Sequence, residues 1–173
     1  MKHSFAYGST FYQSWMKVFN NDVLVDAVRR AKENNKVYGV LGSSIGWHVF
    51  YGGLTWELRS RGWEILCSQV EISQSMQTKH LEREFSNNLV SFQCLDALQA
   101  DLTDVTILVL AFSRDVNLGA VLNNKLAAEL EQGALVISWS RILDAQPEFE
   151  RAAVYKVAVS WSQNWGMYVY RRK

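Results

Sequence analysis

Short runs that are apolar at nearly every position alternate with longer segments of helical periodicity along most of this sequence. "KVYGVLG" (36–42) and "VTILVLAF" (105–112) are the clearest of the runs. A strand that is apolar on both faces must be covered on both faces, and that is the situation of a parallel sheet between two helix layers. The spacing predicts helices over 14–34, 47–58, 73–85 and 117–130, with Ser73 or Ser75 as N-cap of the third. It predicts strands over 36–42, 63–70, 89–95, 105–112 and 133–140. Two further strands, 154–161 and 167–172, are separated only by "SQNWG", which leaves no room for a helix and demands an antiparallel hairpin. The expected fold is α/β: a Rossmann-like, doubly wound, mostly parallel sheet that ends in an antiparallel C-terminal hairpin. Residues 1–35 are expected to form an N-terminal loop and helix packed on the α/β region 36–173, making one domain overall.

Composition narrows the function classes. The 173 residues are 49% hydrophobic and carry a net charge of only +1, so net charge does not indicate nucleic acid. No apolar run approaches the ~18 residues of a membrane span. Cys67 and Cys94 each fall in a strand-like apolar run without metal-ligand spacing, so no metal is expected. They read as buried free thiols, which points to an intracellular, reducing compartment.

The turn after the first strand is "GSSIG", Gly42 to Gly46. In doubly wound folds the ligand lies beyond the carboxyl ends of the strands, where a glycine turn and the N–H groups of the next helix face it. Gly42, Ser43, Ser44 and Gly46 are therefore candidate cofactor contacts. No G-K-[ST] follows, which disfavours a Walker-type phosphate site. Glu71, 25 residues beyond Gly46, is expected after the second strand, either on a ribose diol or as the acidic start of a helix. Leu95 and Asp96 end the third strand. Asp96 could accept the adenine amino group or shape a turn. Phe112 ends the fourth strand, as a pocket wall or a core residue.

These residues together, with "LAF" and "DVNLGAVLNNKLAAELEQGALVISWSRIL", resemble the class I S-adenosylmethionine-dependent methyltransferases over about residues 37–170. Within that superfamily the turn "LGSSIG", the pair Ala111-Phe112 and "GALVIS" look most like the non-SET histone lysine methyltransferases (the disruptor-of-telomeric-silencing family), with Tyr7-Gly8 a faint echo of an upstream loop. The resemblance implies S-adenosylmethionine as cofactor, S-adenosylhomocysteine as product and an unidentified methyl acceptor or protein partner. Tyr7, Trp139 and Trp161 are the pocket candidates, each also readable as core. Two departures stand out. Val40 occupies the place of an acid in the first strand, and Ser44 the place of the middle glycine. A D/N-P-P-[YF] motif is absent. No catalytic residue is implied, because methyl transfer from a sulfonium needs chiefly alignment and exclusion of water. A methyltransferase-like binding or assembly subunit without activity is the alternative expectation, and a nicotinamide-dependent oxidoreductase a further one.

Overall fold

The structure of the protein, a computed structural model, describes residues 10–81, 89–112 and 119–173. Seven strands form one sheet in the order β3-β2-β1-β4-β5-β7-β6. They are β1 (Val37–Leu41), β2 (Arg59–Glu64), β3 (Val90–Cys94), β4 (Val105–Leu110), β5 (Leu135–Ser138), β6 (Phe149–Val159) and β7 (Ser162–Arg172). The first five are parallel, while β7 runs antiparallel to both β5 and β6. The helices are α1 (Tyr12–Phe19), α2 (Asp22–Glu33), α3 (Trp47–Trp56), α4 (Cys67–Met76) and α5 (Gly119–Glu129). The expected doubly wound sheet with a terminal hairpin is the observed one.

The central strands are buried on both faces, as their uniform apolarity requires. β1 sends Tyr38 and Val40 into one core with Trp15, Phe19, Val49 and Met167, and Val37 and Leu41 into a second with Leu108, Leu122 and Tyr170. The chain lays down β1 to β3 outward on one side, then returns to place β4 on the other side of β1. The direction of winding thus switches between β1 and β4, and ligand crevices open at such a point.

Four local expectations are corrected. The helix over 14–34 is two helices. They break at Asn20-Asn21, where the Asn21 side chain accepts from Val23 N at 3.2 Å and caps α2. The second strand is not 63–70 but Arg59–Glu64, and Cys67 already begins α4. The apolar residues that suggested a strand there, Ile65 and Leu66, face solvent. The true strand reads as polar because Arg61 lies over the Trp63 ring at 5.5 Å and pairs with Asp104 at 3.2 Å, so that its stem and charge are both accommodated. Ser73 is inside α4 rather than at its start, with its hydroxyl donating to the Gln69 and Ser44 carbonyls. Finally, "SQNWG" belongs to β7, and the hairpin turns at Ser160-Trp161. Among the described residues no helix is long and apolar enough to cross a membrane.

The N-terminal part is stitched to the hairpin. Thr10 bridges to Val159, and the Ser14 hydroxyl donates to Ala158 O at 2.7 Å, which sets α1 against β6.

Candidate functional site at the carboxyl edge of the sheet

The turn after β1 holds its shape through backbone conformations that few residues adopt. Gly42, Ser44 and Gly46 have φ of 73°, 50° and 90°. The two glycines are also packed too closely for a side chain. A Cβ on Gly42 would meet Phe112 Cδ1 at 3.1 Å, and one on Gly46 would meet Phe92 Cε1 at 2.7 Å. Ser44, at the place of the middle glycine, carries a left-handed φ with a side chain, which is strained by roughly 1 kcal/mol. Neighbours hold it there. Gly42 N and Ser43 N both donate to Trp63 O, at 2.8 and 3.0 Å, and Ser44 O accepts from the Ser73 hydroxyl at 3.2 Å. Gly62 in β2 makes room for Ser43, whose Cβ lies 2.8 Å from where a Gly62 side chain would begin. The Ser43 hydroxyl is buried and has no hydrogen-bond partner among the described residues.

The group that organises this edge is Glu64, the last residue of β2, which sequence reasoning missed. It is 8% exposed. One carboxylate oxygen accepts from Ser44 N at 2.9 Å and the other from Leu66 N at 3.0 Å, while its carbonyl accepts from Leu95 N at 3.0 Å. Among the described residues no cation pairs with it. Each carboxylate oxygen has lone-pair capacity left after its single amide contact. Glu64 stands 18 residues beyond Gly46, closer to the usual spacing of about 20 than Glu71 at 25. That spacing could have singled it out, had the polar "RSRGWE" been read as a strand. Glu71 lies exposed within α4.

Leu95 and Asp96 follow β3 beside this carboxylate. Asp96 Oδ1 accepts from Leu98 N at 2.8 Å and its carbonyl from Gln99 N at 2.9 Å, so the aspartate shapes a turn. Phe112 covers Gly42 from the far side of the switch point. The predicted Gly42, Ser43, Ser44, Gly46, Leu95, Asp96 and Phe112 all gather along the carboxyl edge of β1, β3 and β4. The cysteines next to them are neither buried nor free. Cys67 and Cys94 are exposed and joined in a disulfide.

Beyond β5 the same edge is aromatic. Trp139 stacks on Trp15 (5.9 Å between centroids, 14° between planes) and lies 5.2 Å from the His48 ring, itself 4.8 Å from Trp15. Burial pushes the His48 pKa down to about 4, so the imidazole is neutral. Its Nε2 and the Trp139 Nε1 are buried without a hydrogen-bond partner among the described residues. Trp139 O accepts from Trp165 Nε1 at 3.0 Å, and Trp161 packs edge-on against Trp165 at the hairpin turn, 48% exposed. Trp139 thus packs within an aromatic cluster against the core, and Trp161 lies one ring further out. Tyr7 falls outside the described residues.

The backbone arrangement is shared with solved structures. An RNA methyltransferase from Salinibacter ruber, in complex with S-adenosyl-L-homocysteine, superposes with a TM-score of 0.62 at 19% identity, over 88% of this chain and 92% of that one. The chain has the class I methyltransferase fold. A ribosomal-protein methylase from Lactobacillus delbrueckii subsp. bulgaricus (TM-score 0.59, 14% identity, 87% of this chain and 77% of that one) is similar in the same way. So is a variant of MtNAS in complex with S-adenosylmethionine (0.59, 11%, 92% and 70%). No protein-family model matches the sequence, and no curated protein is detectably similar to it. These likenesses reach the class I fold and support no particular subgroup of methyltransferases.

Proposed function

We propose that this chain binds S-adenosylmethionine against the Gly42–Gly46 turn and transfers its methyl group to a small acceptor. The observation that carries the reading is Glu64. It is a buried carboxylate, unpaired with any cation among the described residues, whose free lone pairs lie beside a glycine turn at the switch point. Such a group is costly to keep unless something else donates to it, and a ribose diol supplies two O–H donors. Leu95 and Asp96 would flank the adenine, with Gly42, Ser43 and Gly46 along the remainder of the cofactor. Three of the solved class I structures most similar to this chain carry S-adenosylhomocysteine, S-adenosylmethionine or methylthioadenosine, which supports the same ligand class here.

When bound, the cofactor supplies an electrophilic methyl on a sulfonium. The protein's part is to hold an acceptor's lone pair in line and keep water out. Phe112 and Trp139 provide apolar walls for this, and neutral His48 adds no like charge beside a sulfonium. Val40, fully buried in β1 where the family carries an acid, favours a second reading: a subunit of this fold that binds ligand or partner without transfer. Titration with S-adenosylhomocysteine tests the cofactor site on which the first reading depends. Micromolar or tighter binding, weakened at least tenfold by Glu64→Gln and unchanged by Glu71→Ala, is the expected result (a lost charge-assisted contact is worth about 1.5–3 kcal/mol). No heat at millimolar ligand would sink the enzyme reading and leave the second.

A further inference from the structure

The Cys67–Cys94 bridge sits where the proposed nucleoside pocket is assembled. Cys67 is the first residue of α4, three past Glu64, and Cys94 is the last residue of β3, just before Leu95 and Asp96. Their Cα atoms are 4.9 Å apart. β3 is the edge strand, with β2 as its neighbour. Past the end of the ladder, the bridge, Leu95 N on Glu64 O and the approach of Cys94 Sγ to Ile65 O at 3.9 Å tie the two segments together. Both cysteines are exposed, so a thiol can reach the bridge from solvent. Exposed disulfides are commonly the labile, regulatory ones, whereas buried ones resist exchange.

We propose that Cys67–Cys94 is a reversible thiol–disulfide site that sets the affinity of the neighbouring pocket, an inference that rests on the pocket's reading as a nucleoside site. The co-reactant is an external dithiol. Its thiolate attacks Cys94 Sγ, the Cys67–Cys94 bond breaks, and Cys67 leaves as a thiolate at the N-terminus of α4, where unpaired N–H groups favour an anion. The second thiol of the dithiol then attacks its own sulfur in the mixed disulfide and releases Cys94. Two electrons and two protons pass to the cysteines, and the dithiol ends as a disulfide. In the closed form Leu66 N and Leu95 N are held on Glu64. In the open form α4's first turn and the end of β3 are ordered only when ligand binds, and that ordering weakens binding.

The test uses the full chain. Free thiols are counted, and S-adenosylhomocysteine is titrated calorimetrically into the oxidised protein, into protein reduced with tris(2-carboxyethyl)phosphine, and into the Cys67→Ser/Cys94→Ser double variant. No free thiol in the oxidised form, two after reduction, and binding about five- to tenfold weaker in the reduced protein and the variant are expected. Equal affinity of the two wild-type forms overturns the switch while leaving the pocket intact. So do thiols that fail to close under oxidised glutathione. Absence of binding in both forms overturns pocket and switch together. If the double variant fails to fold, the two wild-type forms decide alone.

Discussion

The carboxyl edge of the sheet is built differently on the two sides of its switch point. On the β2–β3 side the backbone makes the site. Turn amides, a carbonyl and one carboxylate satisfy one another, and glycines let rings close over them. On the β5 side it is made by side chains. Trp15, His48 and Trp139 pack ring on ring, and among the described residues neither His48 Nε2 nor Trp139 Nε1 has a hydrogen-bond partner. A backbone-made site is specified by conformation and tolerates little change. A side-chain-made wall can vary its chemistry while the fold persists. The first suits a constant part of a ligand and the second a part that differs between relatives.

If that contrast is real, the largest stability loss should come from the turn. Gly46→Ala would put a Cβ 2.7 Å from the Phe92 ring and 3.1 Å from Phe50 Cε2 at a φ of 90°. Strain and overpacking together should destabilise the fold by roughly 3–5 kcal/mol, read from urea denaturation. A loss under about 1 kcal/mol would mean that the turn is looser than its contacts imply.

The aromatic side should instead be sensitive to protons. His48 has a folded pKa of about 4 against 6.5 in the unfolded chain. Between those values the unfolded state binds the extra proton, so stability falls as pH drops from 6.5 toward 4 and the loss is complete below the folded value. About 2 kcal/mol should disappear between roughly pH 7 and pH 5, and His48→Phe should remove that share of the slope. Parallel slopes for the two proteins would show that His48 is not sealed as its surroundings suggest.

The sequence makes legible what depends on local periodicity. The central strands β1, β4 and β5 are buried at every position and mostly apolar, β3 alternates buried and exposed residues over its first three positions, and their order implies the switch point and the glycine turn beside it. What it hides depends on pairing at a distance. β2 is a strand because it lies between β1 and β3, not because "RSRGWE" looks like one. With β2 placed too late in the chain, the sequence points to Glu71, which lies in α4, as the acid following the second strand, whereas Glu64 is the acid that ends it. The disulfide was hidden for the same reason: once Cys67 is taken as strand, it has no cause to meet Cys94. "SQNWG" reads as a loop because its exposed polar residues show no alternation, although Val157 pairs with Trp165 across the hairpin.

Trp165 offers the finest test of the contrast. Its Nε1 donates to Trp139 O at 3.0 Å, a bond by which the hairpin steadies the aromatic cluster. Trp165→Phe keeps a ring against Trp161 and removes only the donor. Trp165 is 42% exposed, so water can replace the lost partner, and the loss should be about 0.5–1 kcal/mol by denaturant titration. Affinity for S-adenosylhomocysteine should not change, because the hydrogen bond and ring contact of the Trp165 side chain go to Trp139 and Trp161, not to the turn, Glu64 or Leu95. The hairpin variant thus moves the side-chain wall and leaves the backbone-made half alone. A several-fold drop in affinity from Trp165→Phe would join the two halves into one cooperative unit and end the distinction between them.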